Sequence, residues 1–217
     1  MSGPGAAIGL LQRLAAGPGN RPDRARCEMC GAPTAAEHRH VVDLETRKLL
    51  CTCRPCALLF TLDQARLRYR AVPEDYAEFP GELPPGLWDE LQIPVSLAFL
   101  FTNSALGRAV AFYPGPAGAT ESELPLGAWE AAVAGQPALG LVRPDVEAVL
   151  LRAPATGGVR CHLVPIDRCY ELVGRLRRAW RGFDGGGEAR AELAGFLAEL
   201  DRRSVPAETL ARLRGPS

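Results

Sequence analysis

Cys27-Glu28-Met29-Cys30-Gly31 and Cys53-Arg54-Pro55-Cys56 are two C-x-x-C pairs with 22 residues between them, and they constrain the fold of this chain more than any other feature. Two thiols three positions apart on a tight turn can reach one cation, and Gly31 permits the positive φ that such a turn uses. A second turn of the same kind completes a tetrahedron if the chain between them folds back. His40–Leu44 and Lys48–Cys53 read as strands on either side of a polar Glu45-Thr46-Arg47 turn, and a hairpin there brings the pairs together. The spacing therefore predicts one metal site made by Cys27, Cys30, Cys53 and Cys56. Zn2+ suits four thiolates because it has no ligand-field preference and needs no redox partner.

Three neighbouring residues are alternates for that site. Cys51 lies two positions before Cys53, so in an extended strand both side chains share a face, one as ligand and the other lining the core. His38 and His40, also two apart, approach the same hairpin as spare ligands or as groups that orient a cysteine. The plainer reading makes them a polar turn whose rings cap backbone groups. For the cysteines, the plainer reading is small buried hydrophobes, and five of them between positions 27 and 56, in ligand spacing, argue against it. A thioredoxin-like redox pair would open a helix in a βαβ unit, which this region does not resemble. Iron is the alternative metal, in a rubredoxin-like site. The usual second rubredoxin turn places proline directly after the cysteine, whereas Arg54 intervenes here, and the aromatic cluster expected around such an iron is thin.

Composition narrows the partners. The chain has 217 residues and a formal net charge of zero, which removes the simplest argument for nucleic acid or an anionic membrane. Its positive charge is nearly all arginine, with Lys48 the only lysine. No segment approaches the roughly 18 apolar residues of a membrane helix. Met1–Leu14 has no basic start, and glycine and proline break its apolar run, so no export signal is expected. Seven cysteines without such a signal imply a reducing, cytoplasmic setting, where clustered thiols are metal ligands or redox groups more often than disulfides.

The rest of the chain predicts an α+β fold. Residues 1–24 read as a lead with a weak helical stretch at Ala6–Ala16, and residues 25–78 as a zinc-ribbon-like four-cysteine module that includes a further strand within Arg66–Val72. After a Pro/Gly-rich bridge, residues 87–205 read as an antiparallel-sheet domain with C-terminal helices. A short helix is expected through Leu87, Trp88 and Leu91. Val95–Thr102 is expected as a well-buried strand, with Arg108–Tyr113, Val146–Leu151 and Val159–Val164 as the other strands. In the last of these, Cys161 and Leu163 alternate with Arg160 and His162, which predicts burial on one side only. Pro114–Gly118 reads as a loop and Leu126–Ala134 as a helix. Asp167 is the expected N-cap of a helix over Arg168–Phe183, and a final amphipathic helix runs from Glu188 to about Arg203.

No catalytic residues emerge. His162 and Asp167 lack a nucleophile in a matching context, and neither G-x-S-x-G nor H-E-x-x-H occurs. Gly115–Ser122 lacks the G-K-[ST] ending of a phosphate loop, and its proline removes an amide donor. Cys161 and Cys169 flank a strand-to-helix turn and read as two buried thiols rather than a redox pair.

Several runs together resemble one family. These are C-E-M-C-G (27–31), H-R-H (38–40), C-x-C-x-x-C-A-L-L-F (51–60), I-P-V-x-L-A-F (93–99), Y-P-x-P-A-G-A-T-E-S (113–122) and L-V-P-I-D-x-C-Y-x-L-V-G (163–174). The chain from about residue 25 to 205 resembles an uncharacterised bacterial family, a domain of unknown function whose genes often lie beside those of nickel–iron uptake hydrogenases. The resemblance implies an accessory role at a hydrogenase and carries no activity with it. The expectation is a non-catalytic, zinc-binding accessory protein that contacts another protein, a hydrogenase subunit or maturation factor. A rubredoxin-like electron-transfer protein is one alternative. A zinc-ribbon nucleic-acid binder is the other; arginines near the knuckles favour it, and Asp23, Glu28, Glu37, Asp43 and Glu45 dilute their charge.

Overall fold

The polar stretch before Lys48 does reverse the chain, and a buried carboxylate shapes the reversal. In the computed structural model, which describes residues 26–61, 68–80, 86–93, 95–115, 118–122, 127–153, 158–182 and 185–215, β1 (Arg39–Asp43) pairs antiparallel with β2 (Lys48–Thr52). Asp43 Oδ1 accepts the amides of Glu45 at 3.1 Å and Thr46 at 3.3 Å, and Arg47 closes the turn at φ 58°. Asp43 is only 4% exposed, so its charge needs a partner. Arg68 supplies a two-pronged one, Nη2 to Oδ2 at 2.7 Å and Nε to Oδ1 at 3.0 Å, which holds the carboxyl well below the usual carboxylate range. A short helix, α1 (Arg54–Leu58), follows β2, and β3 (Tyr69–Ala71) adds to the free edge of β1, giving the order β2-β1-β3.

The second sheet has seven strands. In chain order the elements are β4 (Ala77–Glu78), α2 (Leu87–Leu91), β5 (Leu97–Asn103), β6 (Arg108–Gly115), β7 (Gly118–Glu121) and α3 (Gly127–Gly135). A 3-10 turn (Pro137–Leu141), β8 (Glu147–Arg152), β9 (Arg160–Pro165), α4 (Ile166–Ala179), α5 (Gly186–Arg203), β10 (Val205–Pro206) and α6 (Ala207–Arg214) complete the chain. The strand order is β10-β4-β9-β8-β5-β6-β7, antiparallel except where β10 meets β4. The fold is α+β, with antiparallel sheets and C-terminal helices.

Each face of this sheet carries a core. Ala98, Leu100, Val149, Leu151, Cys161 and Leu163 pack with residues of α2, α3 and α6 on one side. Leu97, Phe99, Ala148, Leu150 and Val164 pack with α4, α5 and the three-stranded sheet on the other. Coverage on both faces explains why Leu97–Phe101 and Ala148–Leu151 are almost unbroken apolar runs, unusual in an antiparallel sheet that has one wet face. Near residues 72–79 the two sheets are joined: Val42, Val72 and Tyr76 enter the second core, and Ala77 pairs with Leu163.

The structure corrects several expectations. His162 is 1% exposed, so β9 is buried on both sides; α5 lies over the His162 face, with Asp201 Oδ1 3.5 Å from its Nε2. Asp167 does not cap a helix: α4 begins at Ile166 behind Pro165, with no side-chain cap bond, and Asp167 sits in the first turn. Within the expected Pro114–Gly118 loop, Pro114 and Gly115 remain in β6 and Gly118 begins β7. Order also continues past residue 205, into α6. There Arg214 donates to buried Glu147 and to Asp75, with Nη1 to Glu147 Oε2 at 3.2 Å and Nη2 to Asp75 Oδ2 at 2.6 Å. That ion cluster clamps the C-terminal helix to β8 and to the segment that joins the sheets. The expected lead over residues 1–24, including Ala6–Ala16, lies outside the described residues, as do 154–157 and Phe183.

Candidate metal centre

The first knuckle is built by its backbone. The Gly31 amide donates to Cys27 O at 2.8 Å and the Cys27 amide to Ala32 O at 2.8 Å, closing a turn that Gly31 completes at φ 74°. The second knuckle uses a different device. Cys53 is the N-cap of α1, Pro55 presets the first turn, and Cys56 follows within it. This C-x-x-C therefore does open a short helix after a strand, yet that strand belongs to an antiparallel hairpin rather than a βαβ unit. The knuckles are tied together through β2: Glu28 donates its amide to Cys51 O at 2.8 Å, and its carboxylate accepts the Cys51 amide at 2.5 Å.

These contacts gather four sulfurs. The Sγ atoms of Cys27, Cys30, Cys53 and Cys56 all lie within 4.8 Å of one another, and Cys30 and Cys53 are 3.7 Å apart. Four thiolates about 2.3 Å from a tetrahedral ion would sit about 3.8 Å apart. The set therefore fits a thiophilic cation with little movement. All four cysteines are free thiols.

The electrostatics point the same way. Cys27 is 2% exposed, and burial pushes its thiol up. The amides of Cys53, Cys30 and Met29 directed at its sulfur outweigh that, and its pKa is lowered to about 6. Cys56 is pushed up to about 12, first by its hydrogen bonds with the Cys53 and Cys30 thiols and then by burial. One thiolate forms readily and further ones are resisted, because negative charge accumulates in one small volume. A divalent cation relieves that repulsion, since it favours deprotonation of every ligand.

Cys51, His38 and His40 form a second group. One ligand atom from each lies within 4.8 Å of the other two, in a group that contains none of the four knuckle cysteines. The His38 and His40 rings stand 4.7 Å apart. His38 Nδ1 contacts the carbonyls of Ala35 at 3.2 Å and Ala36 at 3.1 Å, as a ring capping backbone would, and His40 Nδ1 meets Asp167 Oδ2 at 2.8 Å. The Cys51 thiol is pushed up by burial and by the Glu28 carboxylate. Sequence reasoning did not connect Asp167 with the histidines, since the pair is 127 residues apart. Cys161 and Cys169 are both buried, but they belong to cores on opposite faces of the large sheet.

The family described as "Family of unknown function (DUF5947)" matches residues 26–204, which takes in both cysteine knuckles and the large sheet. No curated protein and no solved structure matches the chain.

Proposed function

The chain belongs to the DUF5947 family of unknown function, a membership that supplies no activity, and from its own residues we propose a non-catalytic, metal-binding accessory protein. In this reading Cys27, Cys30, Cys53 and Cys56 hold one Zn2+, and the ion supplies folding energy rather than chemistry. The observation that carries the reading is the convergence of four sulfurs within 4.8 Å, with backbone amides directed at Cys27. The large sheet then serves as the platform for a protein partner. The resemblance to a family encoded beside nickel–iron uptake hydrogenases supports a hydrogenase subunit or maturation factor in that role. A cytoplasmic setting accords with the clustered free thiols, and among the described residues no helix is long and apolar enough to cross a membrane.

Phosphate recognition is less favoured because three arginines of the hairpin module are already engaged. Arg68 is held by Asp43 and Glu45, Arg39 by Glu74, and Arg70 by Pro144 O at 3.0 Å. Elemental analysis of the purified chain tests the metal reading. The expected result is zinc and no colour, with the zinc content lowered by one ion per chain in Cys27→Ser and Cys53→Ser variants. A reddish protein with thiolate-to-iron absorption would replace it with the rubredoxin-like alternative. A pull-down that returns neither a hydrogenase subunit nor a maturation factor would remove the assembly role.

A further inference from the structure

We propose that His38, His40 and Cys51 form a second metal site, separate from the four-cysteine centre, for a borderline divalent transition-metal ion such as Zn2+ or Co2+. The site does not depend on the four-cysteine reading. It comes from the hairpin register, in which His40 stands directly opposite Cys51 across β1 and β2. Cross-strand partners project on one face, with Cβ atoms about 4.5–5.5 Å apart. His38 precedes His40 by two positions and places its ring against it.

The hydrogen bonds select the tautomers a metal requires. Carbonyl and carboxylate oxygens only accept, so Nδ1 of His38 must donate to Ala35 O or Ala36 O, and Nδ1 of His40 must donate to Asp167 Oδ2. In its neutral form each ring then carries its lone pair on Nε2, the form a metal ion selects. His38 Nε2 is buried and, among the described residues, has no hydrogen-bond partner. Leaving a buried acceptor orphaned is costly, and a bound cation removes that cost. The Asp167–His40 contact is the carboxylate–imidazole arrangement that orients metal-ligating histidines and raises their basicity.

Two imidazoles and a thiolate suit zinc and its borderline neighbours. Three protein ligands also leave a fourth position, as in sites that exchange water or a small ligand. Two of the three, His38 and His40, line a cleft of about 620 Å3 together with Tyr76, Asp167 and Arg168. The two sites thus differ in kind: one is closed by four sulfurs, and the other is incomplete and faces a cavity.

Native mass spectrometry of the full chain tests this, after chelation under reductant and reloading with Co2+. The wild type should hold two ions, and His40→Ala and Cys51→Ser one each. Asp167→Asn, which alters no ligand atom, should weaken the second ion about 10–100-fold and leave the first unchanged. A two-ion profile unaltered in all three variants overturns the site. A single wild-type ion that survives His40→Ala and is lost in Cys27→Ser also overturns it, while upholding the four-cysteine reading. A single ion with the converse behaviour upholds this site and overturns the four-cysteine one.

Discussion

The hairpin module and the seven-stranded sheet are stabilised by different means. Leu100, Leu150, Leu151 and Leu163 of the sheet are fully buried, inside cores shared by both faces. The buried apolar residues of the module that join neither core, among the described residues, are Cys27, Val41, Ala57 and Ala71. The largest of these, Val41, contributes at most about 1.5–3 kcal/mol by burial. Ordering the backbone costs about 1–2 kcal/mol per residue. Burial of these four alone does not hold the module. Val42, Val72 and Tyr76 tie it to the second core, and the Asp43 ion cluster adds polar bonds. In the proposed reading, thiolates on a metal supply the rest. A small folding unit can depend on strong polar bonds, provided each of its buried charges is paired.

Removing the proposed metal should separate the two regions most sharply. Apparent zinc-binding energies of small four-ligand sites are about 10–16 kcal/mol, and in a module of this size they are folding energy. After chelation, the amides of Glu28, Cys51 and Ala57 should exchange rapidly with solvent, while those of Phe99, Leu150 and Leu163 stay protected. Uniform protection before and after chelation would show that the two regions share one source of stability.

Leu150→Ala probes the opposite side of the comparison. The side chain is 0% exposed, and its truncation should cost about 2–5 kcal/mol in denaturant unfolding. Metal content should remain that of the wild type. A variant that loses its metal as well would show that the knuckles depend on the sheet.

A smaller effect is expected at Gly31. Its φ of 74° is strained for any residue with a Cβ, although a methyl group there would meet nothing within 4 Å. Gly31→Ala should cost about 1–2 kcal/mol, all of it backbone strain. The loss should appear as roughly tenfold weaker metal binding, with the unfolding of the sheet unchanged.

The pH dependence of the sheet supplies the finest distinction. Burial pushes the pKa of His162 down, and neither ring nitrogen has a hydrogen-bond partner among the described residues. The unfolded chain therefore takes up the proton first. The contribution of His162 is complete above about pH 6.5 and falls as the pH drops below that, by at most about 1.4 kcal/mol per unit. His162→Leu should flatten the slope between pH 6.5 and 5. An unchanged slope would assign it to another group.

Local signals were legible in the sequence and non-local ones were not. The two knuckles, the hairpin, the buried β5 and the helical register of α4 and α5 all follow from spacings of a few residues. The pairs β4 and β10 are two residues each, too short for any periodicity. The burial of His162 depends on a helix that lies some 40 residues further along the chain. The hairpin register is the most telling case. A turn confined to residues 45–47 would set His40 opposite Thr52. The Asp43 carboxylate and the left-handed Arg47 make the turn one residue longer, which sets His40 opposite Cys51.

The amino-acid order by itself determined the two thiol pairs, the turn chemistry between them and the apolar faces of strands and helices, because each is set by neighbours along the chain. Only the tertiary structure decided that Asp167 meets His40, that both faces of the large sheet are covered, and that Cys51, His38 and His40 come within reach of one another as a group of their own. Contacts of that kind join residues far apart in the chain, and packing selects them only after the elements have formed.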